Sequence, residues 1–289
     1  MVEINTPFEI ICEHGESPVW DYDAKIFYWV DLQKGNYFKA DLKTGSLNTF
    51  SVGQPLGVLA VREKGGLILA VRDGFAFYDE IKNKLEIINN PEAHLLENRF
   101  NDGAIDPIGR FLAGTMQNDG KNSSGNLYSL NSELEISELE NSLFITNGMD
   151  WSEDGKTFYL TDTNQHTIFA YDYNIETGLI TNQREFIKFS EEENPDGMCM
   201  DSEGNFWVAM FNGFRISKFD IKGKKIKDII LPVQCPTSCC FGESDLSTLF
   251  ITTCTFSLSE KQKQEQPLSG KILTIETDSK GKPMNRFKG

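Results

Sequence analysis

The stretch EDGKTFYLTDTNQHTIFAYDYNIETG, residues 153–178, contains a turn with Asp and Gly, an aromatic strand, a polar loop, a second strand and another turn. Apolar and polar residues alternate in short bursts, which is typical of β-strands with one buried face. The same unit recurs along the chain. Its copies begin near residues 23, 63, 107, 153, 202 and 244, so successive copies start 40 to 49 residues apart.

Six copies at this period predict an all-β fold, a six-bladed β-propeller with about four strands in each blade. A helical repeat of similar length is disfavoured because the strands alternate and lack helix caps. Each blade cannot bury both of its faces alone, so we expect residues 1–289 to form a single domain. The early segment FEIICE, residues 8–13, is expected to complete the last blade and close the ring.

Composition excludes several classes of function. The net charge of −15 argues against binding to nucleic acid or to an anionic membrane surface. No apolar run is long enough to span a membrane, and the N-terminus lacks the basic and apolar regions of a signal peptide. The six cysteines are too sparse for a disulfide scaffold, and CPTSCC (235–240) lacks tandem C-x-x-C pairs and a nearby His. We therefore favour buried strand cysteines and a cytoplasmic, reducing setting.

A short segment precedes each aromatic strand, and in a propeller these segments are the innermost strands. Counting back nine positions from the residue before each aromatic strand reaches Glu16, Gly57, Asn101, Asn147, Asp196 and Cys239. Four of these six positions carry a carboxylate or a carboxamide. Oxygen donors that converge on the axis favour a hard divalent cation, although a solvated polar channel mouth is the alternative. His14, two residues from Glu16, is expected at the surface outside this ring.

Five stretches of the chain, in the same order and at compatible spacing, resemble one known family. It is the family of senescence marker protein (regucalcin), gluconolactonase and luciferin-regenerating enzyme, and the resemblance runs from about residue 13 to the C-terminus. The stretches are GESPVW (15–20), NRFNDGAIDPIGRFLAGTM (98–116), NGMDWSEDGKTFYLTD (147–162), PDGMCMDSEGNFWVA (195–209) and PTSCCFG (236–242). The resemblance implies a propeller with one divalent metal in its central channel that hydrolyses sugar lactones.

The resemblance also implies roles for individual residues. Glu16, Asn147 and Asp196 match the metal ligands, and Asp196 is expected to act as general base as well. Arg99 and Asn101 match residues that hold the substrate, and Asp119 stands where the family often has a Glu facing the substrate. Three oxygen ligands admit Ca²⁺, Zn²⁺, Mn²⁺ or Mg²⁺ as the one metal ion.

Two other functions stay open at this point. One is a calcium-binding regulatory propeller without turnover. The other is a related propeller hydrolase of another ester or cyclic substrate, of the luciferin-recycling or organophosphate type. The loops at 117–125 and 255–269 are expected to cover the channel mouth and influence this choice. The expected partner is a small sugar lactone, and the expected assembly is a monomer or a weak homo-oligomer.

Overall fold

The structure, a computed structural model, describes residues 3–289, and nearly all of its regular elements are β-strands. The first twelve strands are β1 (Ile4–Asn5), β2 (Gly15–Asp21), β3 (Ile26–Asp31), β4 (Asn36–Asp41), β5 (Ser46–Ser51), β6 (Leu56–Val61), β7 (Leu67–Val71), β8 (Gly74–Asp79), β9 (Lys84–Asn89), β10 (Asn98–Ile105), β11 (Phe111–Gln117) and β12 (Gly125–Leu130). The remaining strands are β13 (Ile136–Leu143), β14 (Thr146–Trp151), β15 (Thr157–Asp162), β16 (Thr167–Tyr173), β17 (Ile180–Lys188), β18 (Asn194–Met200), β19 (Phe206–Phe211), β20 (Arg215–Phe219), β21 (Lys225–Ile230), β22 (Pro236–Gly242), β23 (Thr248–Thr253) and β24 (Leu273–Glu276).

These strands form six four-stranded antiparallel sheets, which are the six blades of a propeller. Blades 1 to 5 are β2–β5, β6–β9, β10–β13, β14–β17 and β18–β21, each with its strands in chain order. Blade 6 combines β22, β23 and β24 with β1 from the N-terminus. The six-bladed propeller predicted from the repeat is therefore confirmed.

Burial falls from the axis of the propeller to its rim. The innermost strands β2, β6 and β22 are buried along their whole length, whereas the outermost strands β5 and β9 are mostly exposed. Each innermost strand contacts the innermost strands of both neighbouring blades, so the six of them form a closed ring around the channel. A residue at the same position of each innermost strand consequently faces a common space.

The ring is closed by β1, whose Ile4 pairs with Ile275 and whose Asn5 pairs with Thr274. The expectation that residues 8–13 supply this closing strand is wrong, because these residues form no strand. Phe8 instead packs its ring against Trp29, with 4.8 Å between centroids. The apolar pattern of FEIICE thus reflects packing of a connecting segment against the core, and the more polar residues before it make the ladder hydrogen bonds.

Aromatic side chains fill the spaces between blades. Phe27 of blade 1 meets Phe250 of blade 6 at 4.5 Å between ring centroids, and Trp207 of blade 5 meets Phe241 of blade 6 edge-on at 5.5 Å. Such pairs add to the stabilisation that burial of their area supplies. All four tryptophans are buried, and they are Trp20, Trp29, Trp151 and Trp207. All six cysteines are free thiols.

A 3₁₀ helix spans Thr163–Gln165, and a short α-helix, α1 (Glu260–Glu265), lies in the connection between β23 and β24. Ser259 and Gln262 form a capping box at its N-terminus, which satisfies backbone N–H groups that a helix start leaves unpaired. Across residues 3–289, the structure contains no helix with the length and apolar character that crossing a membrane requires.

Candidate functional site

Every innermost strand contains an irregularity in its pairing with the second strand of its blade. In blades 3, 4 and 5 the irregularity spans a residue singled out from the sequence, namely Asn101, Asn147 or Asp196, and in blade 1 it begins directly after Glu16. A β-bulge bends the strand and re-aims the side chain at that point. The repeated bulge is therefore the local reason why these four side chains leave the blade and turn to the channel.

The other two blades contribute differently to this ring. In blade 2 the position is Gly57, where a Cβ atom would lie 2.6 Å from the carbonyl oxygen of Phe100, so glycine allows β10 to approach closely. In blade 6 the irregularity falls at Thr237, and the assignment of Cys239 to this ring is wrong. The interval from the bulge to the second strand is one residue longer there (Thr237 to Thr248) than in blade 5 (Asp196 to Phe206).

Hydrogen bonds join three of the predicted residues into one group. Arg99 Nη1 donates to Asn101 Oδ1 at 2.7 Å, and Asn101 Nδ2 donates to Asn147 Oδ1 at 3.0 Å. Asn147 Nδ2 in turn donates to Thr163 Oγ1 at 2.7 Å. The Thr163 hydroxyl donates to the carbonyl oxygen of Pro195, the residue before Asp196. The amide of Asn147 is thereby fixed in orientation between blades 3 and 5.

Three carboxylates are buried beside this group, and they belong to Glu16, Asp102 and Asp196. Burial, followed by the charges of Asp196 and Asp102, raises the pKa of Glu16 well above its usual range. Burial and the charge of Asp102 raise the pKa of Asp196 in the same way. Burial also raises the pKa of Asp102, to about 7. The three acids therefore disfavour one another's negative charge, as like charges in a low-dielectric site do.

Asp102 was not among the residues predicted for the site. The signal that identifies it is its place in NDG, directly after Asn101, at the far side of the same bulge. Its carboxylate accepts the backbone N–H of Gly103 at 2.7 Å. Counting nine positions back selects one residue in each blade, so this method does not identify a second acid at the same bulge.

The donor set of Glu16, Asn147 and Asp196 is suited to a hard divalent cation, because all three supply oxygen and two of them carry negative charge. The like charges of Glu16 and Asp196 also favour a cation, since a positive ion offsets the repulsion between them. Within residues 3–289, no three His, Cys, Asp or Glu side chains come together as a metal-binding cluster. A site here consequently depends on the amide oxygen of Asn147 as its third protein ligand.

His14 is not at the surface outside the ring, and that expectation is wrong. Its side chain is only partly exposed, and its ring stacks on Phe256 with 4.4 Å between centroids. Burial and the charge of Arg99 lower the pKa of His14 to about 3. The residue therefore belongs to the wall of the mouth, next to Arg99.

Asp119 is not joined to the other predicted residues. Its exposed carboxylate accepts the backbone N–H of Lys121 at 3.1 Å and pairs with the Lys121 ammonium group at 3.1 Å. Its role toward a substrate stays a prediction. The loop that carries it leaves β11 at Gln117, which pairs with Asn98, so the loop does lie at the mouth where Arg99 and Asn101 are found.

The second expected lid loop, residues 255–269, lies at the same mouth. The backbone N–H groups of Thr255 and Phe256 donate to the carbonyl oxygen of Glu13, three residues before Glu16. Gln266 Oε1 accepts the backbone N–H of Gln234 at 2.6 Å. These bonds hold the loop to the N-terminal segment and to blade 6, beside the channel opening.

A cavity of about 330 Å³ occupies the opposite end of the channel. It begins below the ring at Ser17 and Asp102, and the C-terminal segment 282–286 forms part of its wall. Glu16, Asn147 and Asp196 do not line it. This cavity and the predicted site residues are therefore at different ends of the channel, and the convergent polar groups make the Glu16 end the candidate site.

Comparison with known proteins assigns the chain to a family. The model of the SMP-30/gluconolactonase/LRE-like region matches residues 14–255, which is most of the chain. The protein belongs to the SMP-30/gluconolactonase/LRE-like family. The match begins two residues before Glu16 and includes Arg99, Asn147 and Asp196, so all of the grouped site residues lie within the family region.

Members of this family resemble the chain along nearly its whole length. Regucalcin from Xenopus laevis is 36% identical over 268 residues, covering 90% of each chain. A solved structure of a luciferin-regenerating enzyme is 26% identical, with a TM-score of 0.93 and full coverage of both chains. The structure of regucalcin from Agrobacterium tumefaciens, described as a calcium-binding protein, has a TM-score of 0.95 at 23% identity, covering 100% of this chain and 98% of the other. This last likeness concerns the fold.

Proposed function

We propose that this protein is a metal-dependent lactonase that opens sugar lactones at the Glu16 end of its channel. The observation that carries the proposal is the grouping of two buried carboxylates, Glu16 and Asp196, with the amide of Asn147 at the bulges of the innermost strands. Membership of a family named in part after gluconolactonase supports the same reaction.

Glu16, Asn147 and Asp196 would hold one divalent ion, Ca²⁺, Zn²⁺, Mn²⁺ or Mg²⁺. Such an ion, when bound, supplies Lewis-acid polarisation of the lactone carbonyl or a lower pKa for a water molecule. The hydrogen bond from Asn147 Nδ2 to Thr163 fixes the orientation of the amide, whose Oδ1 also accepts a hydrogen bond from Asn101 Nδ2 at 3.0 Å. Glu16 is held by the N–H of Ser17, whose φ of 46° is rare for a residue other than glycine.

Asp196 is proposed as the general base. One of its carboxylate oxygens accepts the proton of the attacking water, which adds to the lactone carbonyl carbon and breaks the ring C–O bond. The proton then passes to the ring oxygen as it leaves, so the product is the open hydroxy acid. A lactone is an activated ester, and a covalent nucleophile is not required.

Arg99 and Asn101 are proposed to bind the substrate. Arg99 is 4% exposed and Asn101 is 7% exposed, so both present their polar groups in a nearly dry site where hydrogen bonds are strong. The Arg99 guanidinium carries positive charge next to the position where the carbonyl oxygen gains negative charge. Asp119 is proposed to reach a substrate hydroxyl only after its pairing with Lys121 is broken.

The test is a panel of glucono-, galactono- and xylono-lactones and aldonic γ-lactones, offered to chelator-treated protein with each metal added back. We expect turnover of at least one lactone with metal and none above the uncatalysed rate without it. The Glu185→Gln variant, in which an exposed acid of β17 is neutralised, is the matched control and should behave like the wild type. Equal turnover with and without metal would contradict the proposal.

The second candidate is a calcium-binding propeller without turnover. The observation that favours it is the similarity to proteins named regucalcin, one of which is described as calcium-binding. This function predicts that Ca²⁺ binds and that no lactone of the panel is opened with any metal. The same experiment therefore separates the two candidates.

A further inference from the structure

We propose that three aromatic rings at the mouth, those of His14, Phe211 and Phe256, form a subsite for a flat apolar group attached to the lactone ring. We call these three rings the aromatic wall. The proposal rests on the proposed function and adds to it a class of substrate, namely lactones fused to or bearing an aryl group.

The aromatic wall is a continuous stack whose central ring, Phe256, is the most exposed of the three. Phe256 lies 4.4 Å from His14 and 5.9 Å from Phe211 between ring centroids, with interplanar angles of 28° and 24°. Phe256 is nevertheless 48% exposed. Half of a large aromatic side chain thus stays in contact with water at the centre of the stack, which is where a flat ligand group would gain most from burial.

The wall is continuous with the candidate site. His14 is two residues from Glu16, and Phe211 pairs with Asn194, two residues before Asp196. Behind the wall, the buried side chains of Cys235, Cys254 and Leu258 pack against Phe211. A substrate whose carbonyl reaches the acids therefore has its remaining atoms beside these rings.

Two buried nitrogen atoms near the wall have no hydrogen-bond partner within residues 3–289, namely Nδ1 of His14 and Nε of Arg99. A buried polar atom without a partner is costly, so a ligand oxygen that reaches these atoms gains more than it would in water. The mouth thus offers hydrogen bonds at its floor and an apolar surface at its side. A lactone with an aryl group carries both features.

The second lid loop, residues 255–269, carries Phe256 and fixes the position of its backbone. The N–H of Phe256 donates to the carbonyl oxygen of Glu13 at 3.0 Å, and the N–H of Leu258 donates to the carbonyl oxygen of Thr255 at 3.1 Å. The ring is therefore held by backbone bonds on both sides of it. A fixed aromatic surface loses little conformational entropy when a ligand binds, which favours selection by shape.

The experiment compares kcat/KM for dihydrocoumarin, an aryl-fused δ-lactone, with kcat/KM for δ-gluconolactone. In Phe256→Ala the ratio of the two should fall about 10-fold, because a contact with an aromatic face and the area it buries are lost. Phe256→Tyr keeps the ring and should restore the ratio. Ile226→Ala removes an apolar side chain of similar exposure (51%) from the outer strand β21 and serves as control. A Phe256→Ala ratio equal to that of the control would overturn the proposal.

If the protein opens no lactone, the proposed lactonase function is wrong, but the aromatic wall can still be tested as a binding site. Calorimetry then measures the binding of 3,4-dihydroquinolin-2-one, the lactam that corresponds to dihydrocoumarin. The dissociation constant should rise in Phe256→Ala and should be close to the wild-type value in Phe256→Tyr. Binding that is the same in wild type and Phe256→Ala, or no binding to the wild type, would overturn the subsite.

Discussion

Asp31 and Asp162 hold equivalent segments of blades 1 and 4 in the same way. The Asp31 carboxylate accepts the N–H groups of Glu13 and His14 at 2.9 and 3.1 Å, and the Asp162 carboxylate accepts those of Phe144 and Ile145 at 2.9 and 3.1 Å. In each blade the two N–H groups stand three and two residues before a proposed metal ligand, Glu16 or Asn147. Both acids therefore fix the segment that leads into a proposed ligand, although they are distant from it in sequence.

Replacing either acid by Asn should weaken metal binding and stability together. The Asn side chain presents its NH₂ group to one of the two N–H donors, and one unsatisfied buried donor costs about 1–3 kcal/mol. Urea denaturation measures the stability, and calorimetric titration of chelator-treated protein measures the metal affinity. Asp172→Asn, at an exposed acid of β16, is the control. Metal affinity at the wild-type value in both Asp31→Asn and Asp162→Asn would show that these acids do not position the ligands.

Glu16→Gln should reduce the affinity for a divalent cation while the fold is retained. The change keeps an oxygen donor but removes one of the two negative charges in the proposed ligand set, and charge count is a main determinant of affinity at oxygen sites. Calorimetry of the wild type, Glu16→Gln and the control Glu185→Gln measures the effect. An unchanged titration of Glu16→Gln would remove Glu16 from the ligand set.

A buried ion pair in blade 5 should make stability depend on pH. Asp201 and Lys218 lie 3.0 Å apart with almost no exposure, and Asp201 also accepts hydrogen bonds from Trp207 and Asn205. Burial raises the pKa of Asp201, but these hydrogen bonds and that from Lys218 outweigh it, so the pKa is lowered on balance. Its stabilisation is therefore complete above the pKa of the unfolded state and is lost as the pH falls through the lower folded value.

Asp201→Asn should lower the free energy of unfolding by about 3–5 kcal/mol at neutral pH, because the Lys218 charge is left buried without its partner. The exposed pair of Arg184 and Asp172 is a matched control, and Asp172→Asn should cost less than about 1 kcal/mol. The difference between Asp201→Asn and wild type should shrink in acid. Urea curves across pH 2 to 7 that show equal effects of the two variants would contradict this account.

Closure of the ring should depend on β1 and Phe8. Phe8→Ala removes a ring that stacks on Trp29 and should lower the free energy of unfolding by about 3 kcal/mol, the usual cost of a buried aromatic side chain. Deletion of residues 1–9 also removes the pairing of Ile4 and Asn5 with β24 and should lower the melting temperature further. Thermal unfolding of both variants provides the check, and an unchanged melting temperature of the deletion variant would show that closure is not needed.

The repeat of aromatic strands is enough to predict the blades, because every pair of neighbouring strands except β1 and β24 is consecutive in the chain. Glu16, Asn101, Asn147 and Asp196 were predicted as one ring because the hairpins of their blades have the same length. The count failed at Cys239, since blade 6 has a longer interval and places Thr237 at the bulge. A constant spacing predicts equivalent positions only where the loops between them are equal.

Other features could not be predicted because they depend on contacts between distant segments. The two-residue strand β1 has no periodicity of its own and is defined only by its pairing with β24. The position of His14 depends on Phe256, more than 200 residues away in the chain. Asp102 belongs to the group of acids because it is buried near Glu16 and Asp196. The local sequence pattern does not reveal this proximity.

The proposed lactonase activity is tested most sharply by the turnover of δ-gluconolactone by Asp196→Ala after chelator treatment and addition of metal. The wild type should lose its activity with the chelator and regain it with the metal. Asp196→Ala, which loses both a metal ligand and the base, should stay at least about 100-fold below the wild type, with circular dichroism unchanged. If Asp196→Ala regained turnover close to that of the wild type, Asp196 would be neither the general base nor an essential metal ligand.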